Sequence, residues 1–259
     1  MDTGICILSM VPVRATPLDK AEMVTQLLFG ELVMVTESFG SWLKIMTVYD
    51  AYEGWVDRKQ VKSLDKEEFE LFQRNNNAVV CDLIHKLNNK TTKVRLPIVM
   101  GSSLPGFSSN SFSISGVEYS INSKYVHVSK ARDGSAIVKV ALKYMNTPYL
   151  WGGRSPFGID CSGFTQVVLK VCGIKISRDA SQQALQGEGI DFIAEAKAGD
   201  LAFFENKENH IIHTGIMLDN QTIIHASGKV HIDGIDHEGI YNQETHRYTH
   251  QLRLIRRFI

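Results

Sequence analysis

The 259-residue sequence predicts an α+β domain preceded by two small all-β barrels. Three features of the chain indicate this order. Short β-branched and aromatic runs, separated by turn residues, fill the first half. From Ser135 the pattern changes to amphipathic helices, and strand patterns return after Gly199. Helices followed by an antiparallel sheet are typical of α+β domains.

The first half is predicted to contain barrels at residues 1–68 and 75–130, ahead of a third domain at 131–259. Five or so short strands in about 60 residues are typical of a small closed barrel. A helical turn is predicted within Ala21–Leu28, a linker at Phe69–Asn77 and a tight hairpin at Ser115–Gly116. The predicted strands are Gly4–Val13, Leu32–Thr36, Trp42–Val48, Gly54–Asp57, Val79–Leu87, Lys93–Val99, Ser111–Ile114, Val117–Ile121 and Lys124–His127.

The third domain is predicted to begin with a helix at Ser135–Met145, followed by a Gly/Pro-rich loop and a second helix that starts at Cys161. A short helix at Ser181–Gln186 comes next. The predicted strands of this domain are Asp200–Glu205, Ile211–Leu218, Thr222–Ala226 and Arg253–Phe258.

Cys161 is the candidate nucleophile. Asp160 is a good N-cap, and Gly173 ends a helix whose apolar stripe is formed by Phe164, Val167, Val168, Val171 and Cys172. Cys161 therefore lies in the first turn, where the helix dipole favours an anion and lowers the pKa of a thiol. Cys172, on the apolar stripe, is predicted to be a buried structural cysteine.

His213 and His225 are the candidate base and orienting residue. If Ile211–Leu218 and Thr222–Ser227 form a hairpin whose loop is residues 218–220, His213 pairs directly with His225 on one face of the sheet. One imidazole can then take the thiol proton while the second holds the tautomer of the first. Two opposed histidines behind a helix-start cysteine favour nucleophilic catalysis over a structural role.

Composition excludes several other classes of function. Basic and acidic residues balance at 28 each, so no net field attracts nucleic acid or an anionic membrane. Four cysteines without a CxxC pair argue against a disulfide framework or a four-cysteine zinc site. No metal or other cofactor is predicted, and five further histidines of the third domain are expected to be solvated loop residues: His210, His231, His237, His246 and His250.

Residues 147–164 read TPYLWGGRSPFGIDCSGF and resemble the signature of the NlpC-type cysteine peptidases, a papain-like family that cuts cell-wall peptides. The strands His213-Thr-Gly-Ile216 and Ile224-His-Ala-Ser227 resemble the two histidine strands of that family. Val24-x-Gln26-x-Leu28-x-Gly30-Glu31 and Gly54-Trp55-Val56 resemble bacterial SH3-like barrels. The resemblance thus implies a papain-like NlpC-type domain preceded by two SH3-like barrels.

This arrangement resembles the γ-D-glutamyl-L-diamino acid endopeptidases, which act on murein peptides that begin with a free L-alanine. The resemblance implies a barrel that covers one end of the cleft, where carboxylates and a phenol read the free ammonium group. The substrate-binding residues that it implies are Glu22, Tyr52, Tyr149, Trp151, Asp160, Ser162 and Ser181.

Three functions compete at this point. The first is a monomeric cytoplasmic peptidase that recycles L-Ala-γ-D-Glu-diamino acid peptides, which the absence of a leader pattern favours. The second is an exported hydrolase of intact peptidoglycan with wall-binding barrels, whose leader is missing from the given sequence. The third is a binding module without catalysis, which the intact Cys161, His213 and His225 argue against.

Overall fold

The computed structural model of the chain describes residues 2–75, 78–128 and 133–259. The described residues divide into two compact units. Unit 1 comprises Met1–Ser129 and Trp151–Pro156, and unit 2 comprises Lys130–Leu150 and Phe157–Ile259. The predicted domain boundary between residues 130 and 131 lies outside the described residues.

Unit 1 begins with seven antiparallel strands: β1 (Asp2–Ile5), β2 (Met10–Arg14), β3 (Met23–Leu28), β4 (Leu32–Phe39), β5 (Trp42–Thr47), β6 (Glu53–Asp57) and β7 (Lys62–Leu64). Their order in the sheet is β3-β2-β6-β5-β4-β1-β7. The predicted helical turn in Ala21–Leu28 is wrong. These residues form β3, because pairing with β2 satisfies their backbone while Thr25–Leu28 become buried.

The predicted linker at Phe69–Asn77 is also wrong over its described part, because residues 66–74 form helix α1 (Lys66–Arg74). Asp65 caps this helix by accepting the N–H of Glu68 at 2.8 Å. The charged residues of α1 suggested a linker, but Phe69 and Phe72 lie on its other face and are buried in the core.

The second part of unit 1 contains β8 (Ala78–Val80), β9 (Ile84–Asn89), β10 (Arg95–Val99), β11 (Ser111–Ile114), β12 (Val117–Ser120), β13 (Val126–Val128) and the short β14 (Arg154–Ser155). The predicted hairpin at Ser115–Gly116 is confirmed: both residues have positive φ, and Ile114 pairs with Val117. One hydrophobic core joins this part to the first, with contributions from Ile5, Phe29, Leu64, Phe69, Val80, Leu87, Ile98 and Phe112.

Unit 2 has the predicted α+β organisation. Its helices are α2 (Gly134–Leu142), α3 (Cys161–Val171) and α4 (Ala180–Gln183). Its strands are β15 (Gly158–Ile159), β16 (Glu188–Ile190), β17 (Leu201–Glu205), β18 (Ile211–Met217), β19 (Thr222–Ser227), β20 (Lys229–Ile235), β21 (Gly239–Asn242) and β22 (Arg247–Arg257). The sequence did not predict β16, β20 or β21, or the full length of β22.

The sheet of unit 2 runs in the order β16-β22-β17-β18-β19-β20-β21. The long β22 pairs with β21 as well as with β17, so the strands from β17 to β22 form a closed ring of antiparallel pairs. Helix α3 is buried along its whole length and packs against β18 and β19. Direct pairing places β20 beside β19, and β22 lies beside β17 on the other side of β18. Among the described residues, no helix has the length and hydrophobicity needed to span a membrane.

Candidate active site

Cys161 is the first residue of α3, as the sequence predicts. The Asp160 side chain accepts a hydrogen bond from the N–H of Gly163 at 2.7 Å, which confirms Asp160 as the N-cap. Gly173, with φ of 81°, follows the other end of the helix. Cys161 itself is 7% exposed, so its thiol is shielded from bulk water.

Burial decides the protonation state of Cys161. Desolvation, and next the charge of Asp160, raise the pKa of its thiol to about 12, although a backbone hydrogen bond from Thr214 and the Arg178 guanidinium act to lower it. The helix-start N–H of Ser162 does act to lower this pKa, but burial outweighs it, so the predicted net lowering is wrong for the protein without substrate. The hydrogen bond from Thr214 also places the sulfur beside the residue that follows His213.

The predicted register of the histidine hairpin is wrong by two residues. His225 lies opposite Gly215, not opposite His213, and Ile216 lies opposite Ile224. The connection is residues 218–221, because Asp219 accepts hydrogen bonds from the backbone N–H groups of Gln221 and Thr222 and so stabilises a longer turn.

His213 and His225 still meet, as diagonal neighbours on one face. Nε2 of His213 lies 2.9 Å from Nδ1 of His225, and the two rings are nearly perpendicular at 84°. Gly215 makes this possible, since a Cβ there would lie 2.8 Å from the Cβ of His225. Burial holds the pKa of His213 well below its ordinary value and also lowers that of His225, so both rings are neutral near pH 7.

Two further histidines correct the sequence analysis, because His231 and His250 are not solvated loop residues. His231 lies on β20 opposite His225, and His250 lies on β22 with its ring stacked on that of His213 at a centroid distance of 4.2 Å. Burial lowers the pKa of His250 to about 4. The alternation of residues along these strands was the signal that could have revealed them.

Asp233 is a functional candidate that the sequence analysis missed. Its Oδ2 atom lies 3.2 Å from Nε2 of His225 and 3.1 Å from Nε2 of His231. One ligand atom from each of these three residues lies within 4.8 Å of the others, which is close enough for a metal ion. Asp233 and His231 are two residues apart on β20 and therefore share a face.

The substrate-binding residues predicted for unit 2 differ in their burial and in their contacts. Asp160 and Ser162 are buried and bind the guanidinium of Arg178, with Asp160 Oδ2 at 2.6 Å and Ser162 Oγ at 2.8 Å. Tyr149 is half-buried; burial, and next the nearby Cys161, raise the pKa of its phenol to about 12. Ser181 is exposed on α4.

The substrate-binding residues predicted for unit 1 include one pair in contact, Glu22 and Trp151. The indole Nε1 of Trp151 donates a hydrogen bond to Oε1 of Glu22 at 2.6 Å, and 61% of Trp151 is exposed. Gly152 follows at φ of 74°, where a Cβ would lie only 2.2 Å from the carbonyl oxygen of Met23. Tyr52 is half-buried at the start of β6, and its backbone N–H donates to Oγ1 of Thr47 at 2.9 Å.

The sequence analysis assigned no role to Arg154, yet this residue makes principal contacts of the loop Trp151–Pro156. Its guanidinium binds both carboxylate oxygens of Glu31, at 2.8 and 2.9 Å, and both side chains are 3% exposed. Its backbone N–H donates to Oε1 of Gln26 at 2.8 Å. These bonds hold Trp151–Pro156 against β3 and the turn that follows it.

Two family models match the chain. One describes the NlpC/P60 family and covers residues 146–251; the other describes a bacterial dipeptidyl-peptidase SH3 domain and covers residues 13–61. The resemblances drawn from the residues are thereby confirmed for the peptidase domain and for one SH3 domain. A second SH3 domain is not confirmed.

Two curated relatives match most of the chain. A γ-D-glutamyl-L-lysine dipeptidyl-peptidase of Bacillus subtilis is 30% identical over 78% of this chain and 71% of its own length. A dipeptidyl-peptidase 6 of Lysinibacillus sphaericus is 29% identical over 93% of this chain and 95% of its own length. Among solved structures, an NlpC/P60 family protein of Bacillus cereus has the same fold, with a TM-score of 0.83, 99% coverage of both chains and 20% identity. On these matches the chain is a member of the NlpC/P60 family of peptidases.

Proposed function

We propose that this protein is a cysteine peptidase that hydrolyses the bond between γ-D-glutamate and the diamino acid of murein peptides. The observation that carries the proposal is the 2.9 Å contact between His213 and His225. Thr214, the residue after His213, gives a backbone hydrogen bond to the sulfur of the helix-start Cys161. The Bacillus subtilis relative is a γ-D-glutamyl-L-lysine dipeptidyl-peptidase, which supports the class of bond that is cut.

The proposed reaction is acyl transfer to sulfur. As Sγ of Cys161 attacks the γ-carbonyl carbon of D-glutamate, His213 accepts the thiol proton and then gives it to the leaving amine of the diamino acid. Water, deprotonated by His213, hydrolyses the thioester and regenerates the thiol. The N–H of Cys161 has no acceptor within the helix and is the proposed donor to the oxyanion.

The substrate is proposed to carry a free N-terminal L-alanine. Glu22 supplies a carboxylate, and Trp151, bound to it at 2.6 Å, supplies an exposed aromatic ring. A carboxylate beside an aromatic ring suits an ammonium group, which both attract. Tyr52, Tyr149, Asp160, Ser162 and Ser181 complete the proposed binding set.

The experiment supplies L-Ala-γ-D-Glu-L-Lys and its diaminopimelate analogue and follows the release of L-Ala-D-Glu by mass spectrometry. We expect turnover by the parent and none by Cys161→Ala. The matched control is Cys172→Ala, which removes a buried cysteine from the far end of the same helix and should leave turnover close to the parent's. Turnover by Cys161→Ala would exclude the proposed nucleophile.

The N-acetylated peptide tests the free amino terminus. We expect strong discrimination against the capped peptide in the parent and weaker discrimination in Glu22→Gln, which removes the charge and keeps the size. Equal cleavage of capped and free peptides would show that Glu22 does not read an ammonium group.

We further propose that the protein is a monomer that acts in the cytoplasm on peptides already released from the wall. The balance of 28 basic and 28 acidic residues supports this, since it gives no net attraction to anionic wall polymers. Release of the same dipeptide from intact sacculi at a comparable rate would favour the alternative, a hydrolase of the assembled wall.

A further inference from the structure

Asp233 occupies a buried position directly behind the candidate histidine pair. Its side chain is 8% exposed and that of His225 is 1% exposed. His225 therefore has a partner at each ring nitrogen: Nδ1 lies 2.9 Å from Nε2 of His213, and Nε2 lies 3.2 Å from Oδ2 of Asp233. These contacts form a continuous chain from Asp233 to the candidate base.

The chemistry of the carboxylate assigns every proton in this chain. An ionised carboxylate only accepts hydrogen bonds, so Nε2 of His225 carries its ring proton. A contact of 2.9 Å between two ring nitrogens needs one donor and one acceptor, and Nδ1 of a His225 ring that carries its proton on Nε2 is the acceptor for the Nε2 proton of His213. His213 then has its remaining lone pair on Nδ1, the nitrogen that is left to accept a proton.

We propose that Asp233 is a positioning residue that selects this tautomer in both rings, so that Nδ1 of His213 is ready to take the proton of Cys161. The proposal rests on the cysteine peptidase mechanism proposed above. Asp233 touches neither the thiol nor the scissile bond in that mechanism and acts through His225 on His213.

Two neighbours hold Asp233 in place. Nδ2 of Asn242 donates to Oδ1 and Oδ2 at 3.3 Å each, and Nε2 of His231 lies 3.1 Å from Oδ2. Burial acts to raise the pKa of Asp233, but the hydrogen bonds from His225 and Asn242 outweigh it, and the pKa lies below its ordinary value. The carboxylate of Asp233 thus faces Nε2 of His225 while the amide of Asn242 holds it from the other side.

The same residues could instead hold a divalent metal ion, with His225, His231 and Asp233 as ligands. The two arrangements require opposite tautomers of His225. A metal ion needs the lone pair on Nε2 and so places the ring proton on Nδ1, facing His213. The tautomer of His225 thus distinguishes a proton relay from a metal site.

The test compares Asp233→Ala with Asp236→Ala. Asp236 follows β20 and accepts a hydrogen bond from the Tyr248 hydroxyl at 2.5 Å. Its loss removes a nearby carboxylate that, within the described part of the chain, is hydrogen-bonded to neither His213 nor His225. Nitrogen NMR of labelled histidine reports the tautomers in the resting protein. The rate at which iodoacetamide alkylates Cys161 reports proton transfer to His213 without any peptide substrate.

For the parent and Asp236→Ala we expect proton-bearing Nε2 in both His213 and His225. For Asp233→Ala we expect mixed tautomers and alkylation slowed by about 10–100-fold, the usual effect of losing a residue that orients a histidine. Asp233→Asn is the second variant, for use if Asp233→Ala does not fold. It keeps the size of the side chain but offers His225 an N–H as well as an oxygen, so we expect mixed tautomers for this variant too. Both readouts are independent of which peptide bond is cut, so failure of the proposed substrate would leave them intact.

Three results would overturn the proposal. One is unchanged tautomers in folded Asp233→Ala or Asp233→Asn. Another is alkylation of these variants at the parent's rate. The third is a stoichiometric metal ion in the purified parent whose removal by a chelator abolishes peptide cleavage.

Discussion

At the scale of single residues, burial favours the uncharged forms of both Cys161, the proposed nucleophile, and His213, its proposed base, before substrate binds. Burial raises the pKa of Cys161 to about 12 and holds that of His213 well below its ordinary value. A preformed thiolate–imidazolium pair is therefore disfavoured, since neither charge is hydrated. In the proposed mechanism His213 therefore acts as a general base while the sulfur attacks, and its correct tautomer matters throughout.

The protonation states predict the pH dependence of Cys161 alkylation. Because His213 loses its proton well below its ordinary pKa of 6.5 and the thiol loses its proton only near 12, we expect no thiolate titration between about pH 6.5 and 9. Protonation of His213 should slow the reaction only at lower pH. Iodoacetamide labelling followed by mass spectrometry measures this, and a midpoint between pH 7 and 9 would show a thiol pKa near that of ordinary cysteine.

Substitution of the two histidines should separate their roles. His213→Ala removes the proposed base, and we expect it to abolish turnover. His225→Gln keeps a hydrogen-bonding group near Nε2 of His213, so we expect partial activity, with a loss on the order of 10–1,000-fold. Steady-state kinetics with folded variants measures both, and equal inactivity of the two would require the roles to be reassigned.

At the scale of the elements, the site depends on the register of the β18–β19 hairpin. With Gly215 opposite His225, the imidazole of His225 can lean along the sheet toward His213. Any larger residue at 215 would occupy that space. The turn that Asp219 stabilises sets this register, and so a residue on the surface helps to align two buried rings.

Replacement of Gly215 by alanine should therefore damage the site. The new Cβ would lie 2.8 Å from both the Cβ of His225 and the Cδ1 of Ile223, so His225 must shift. We expect turnover to fall by about 100-fold, the cost of misplacing a catalytic group by about 1 Å.

Gly234→Ala is the matched control, on β20, which is separated from β18 by β19. A Cβ there meets only the carbonyl oxygen of Tyr241 within 4 Å, at 3.7 Å, which is an ordinary contact. We expect it to keep activity close to the parent's. Equal activity of the two alanine variants would contradict the role assigned to Gly215.

At the scale of the whole chain, contacts between distant residues hold the functional loops. The pair formed by Arg154 and Glu31 joins segments 123 residues apart, and both side chains are buried. A buried guanidinium without its partner is costly, because no water replaces the lost carboxylate. This pair supports the loop that carries Trp151.

Glu31→Gln should accordingly destabilise the protein by about 3–5 kcal/mol, the usual cost of leaving a buried charge unpaired. The matched control is Glu37→Gln, since Glu37 pairs with Lys44 at 2.8 Å in an exposed position. We expect that substitution to cost less than about 1 kcal/mol. Urea unfolding measures both free energies, and equal costs would show that the buried pair does not stabilise the fold.

The sequence by itself determined the elements whose signals are local. The Asp160 cap and the apolar stripe of α3 depend on neighbours within a few residues, and so does the Ser115–Gly116 turn. The family signature around Cys161, His213 and His225 is local as well. These features could be read from the sequence because helix caps, tight turns and side-chain periodicity arise within one segment.

Only the tertiary structure decided which distant groups share the site. His250 lies on β22, which pairs with both β17 and β21, and no local pattern encodes that closure. His231 and Asp233 lie on β20, and only the register of the β19–β20 pair places them beside His225. The pKa of Cys161 also depends on distant residues. The position of Cys161 at the helix start acts to lower this pKa, whereas burial by the packed domain raises it by a larger amount. Register, ring closure and desolvation depend on long-range packing, which a single segment of sequence does not contain.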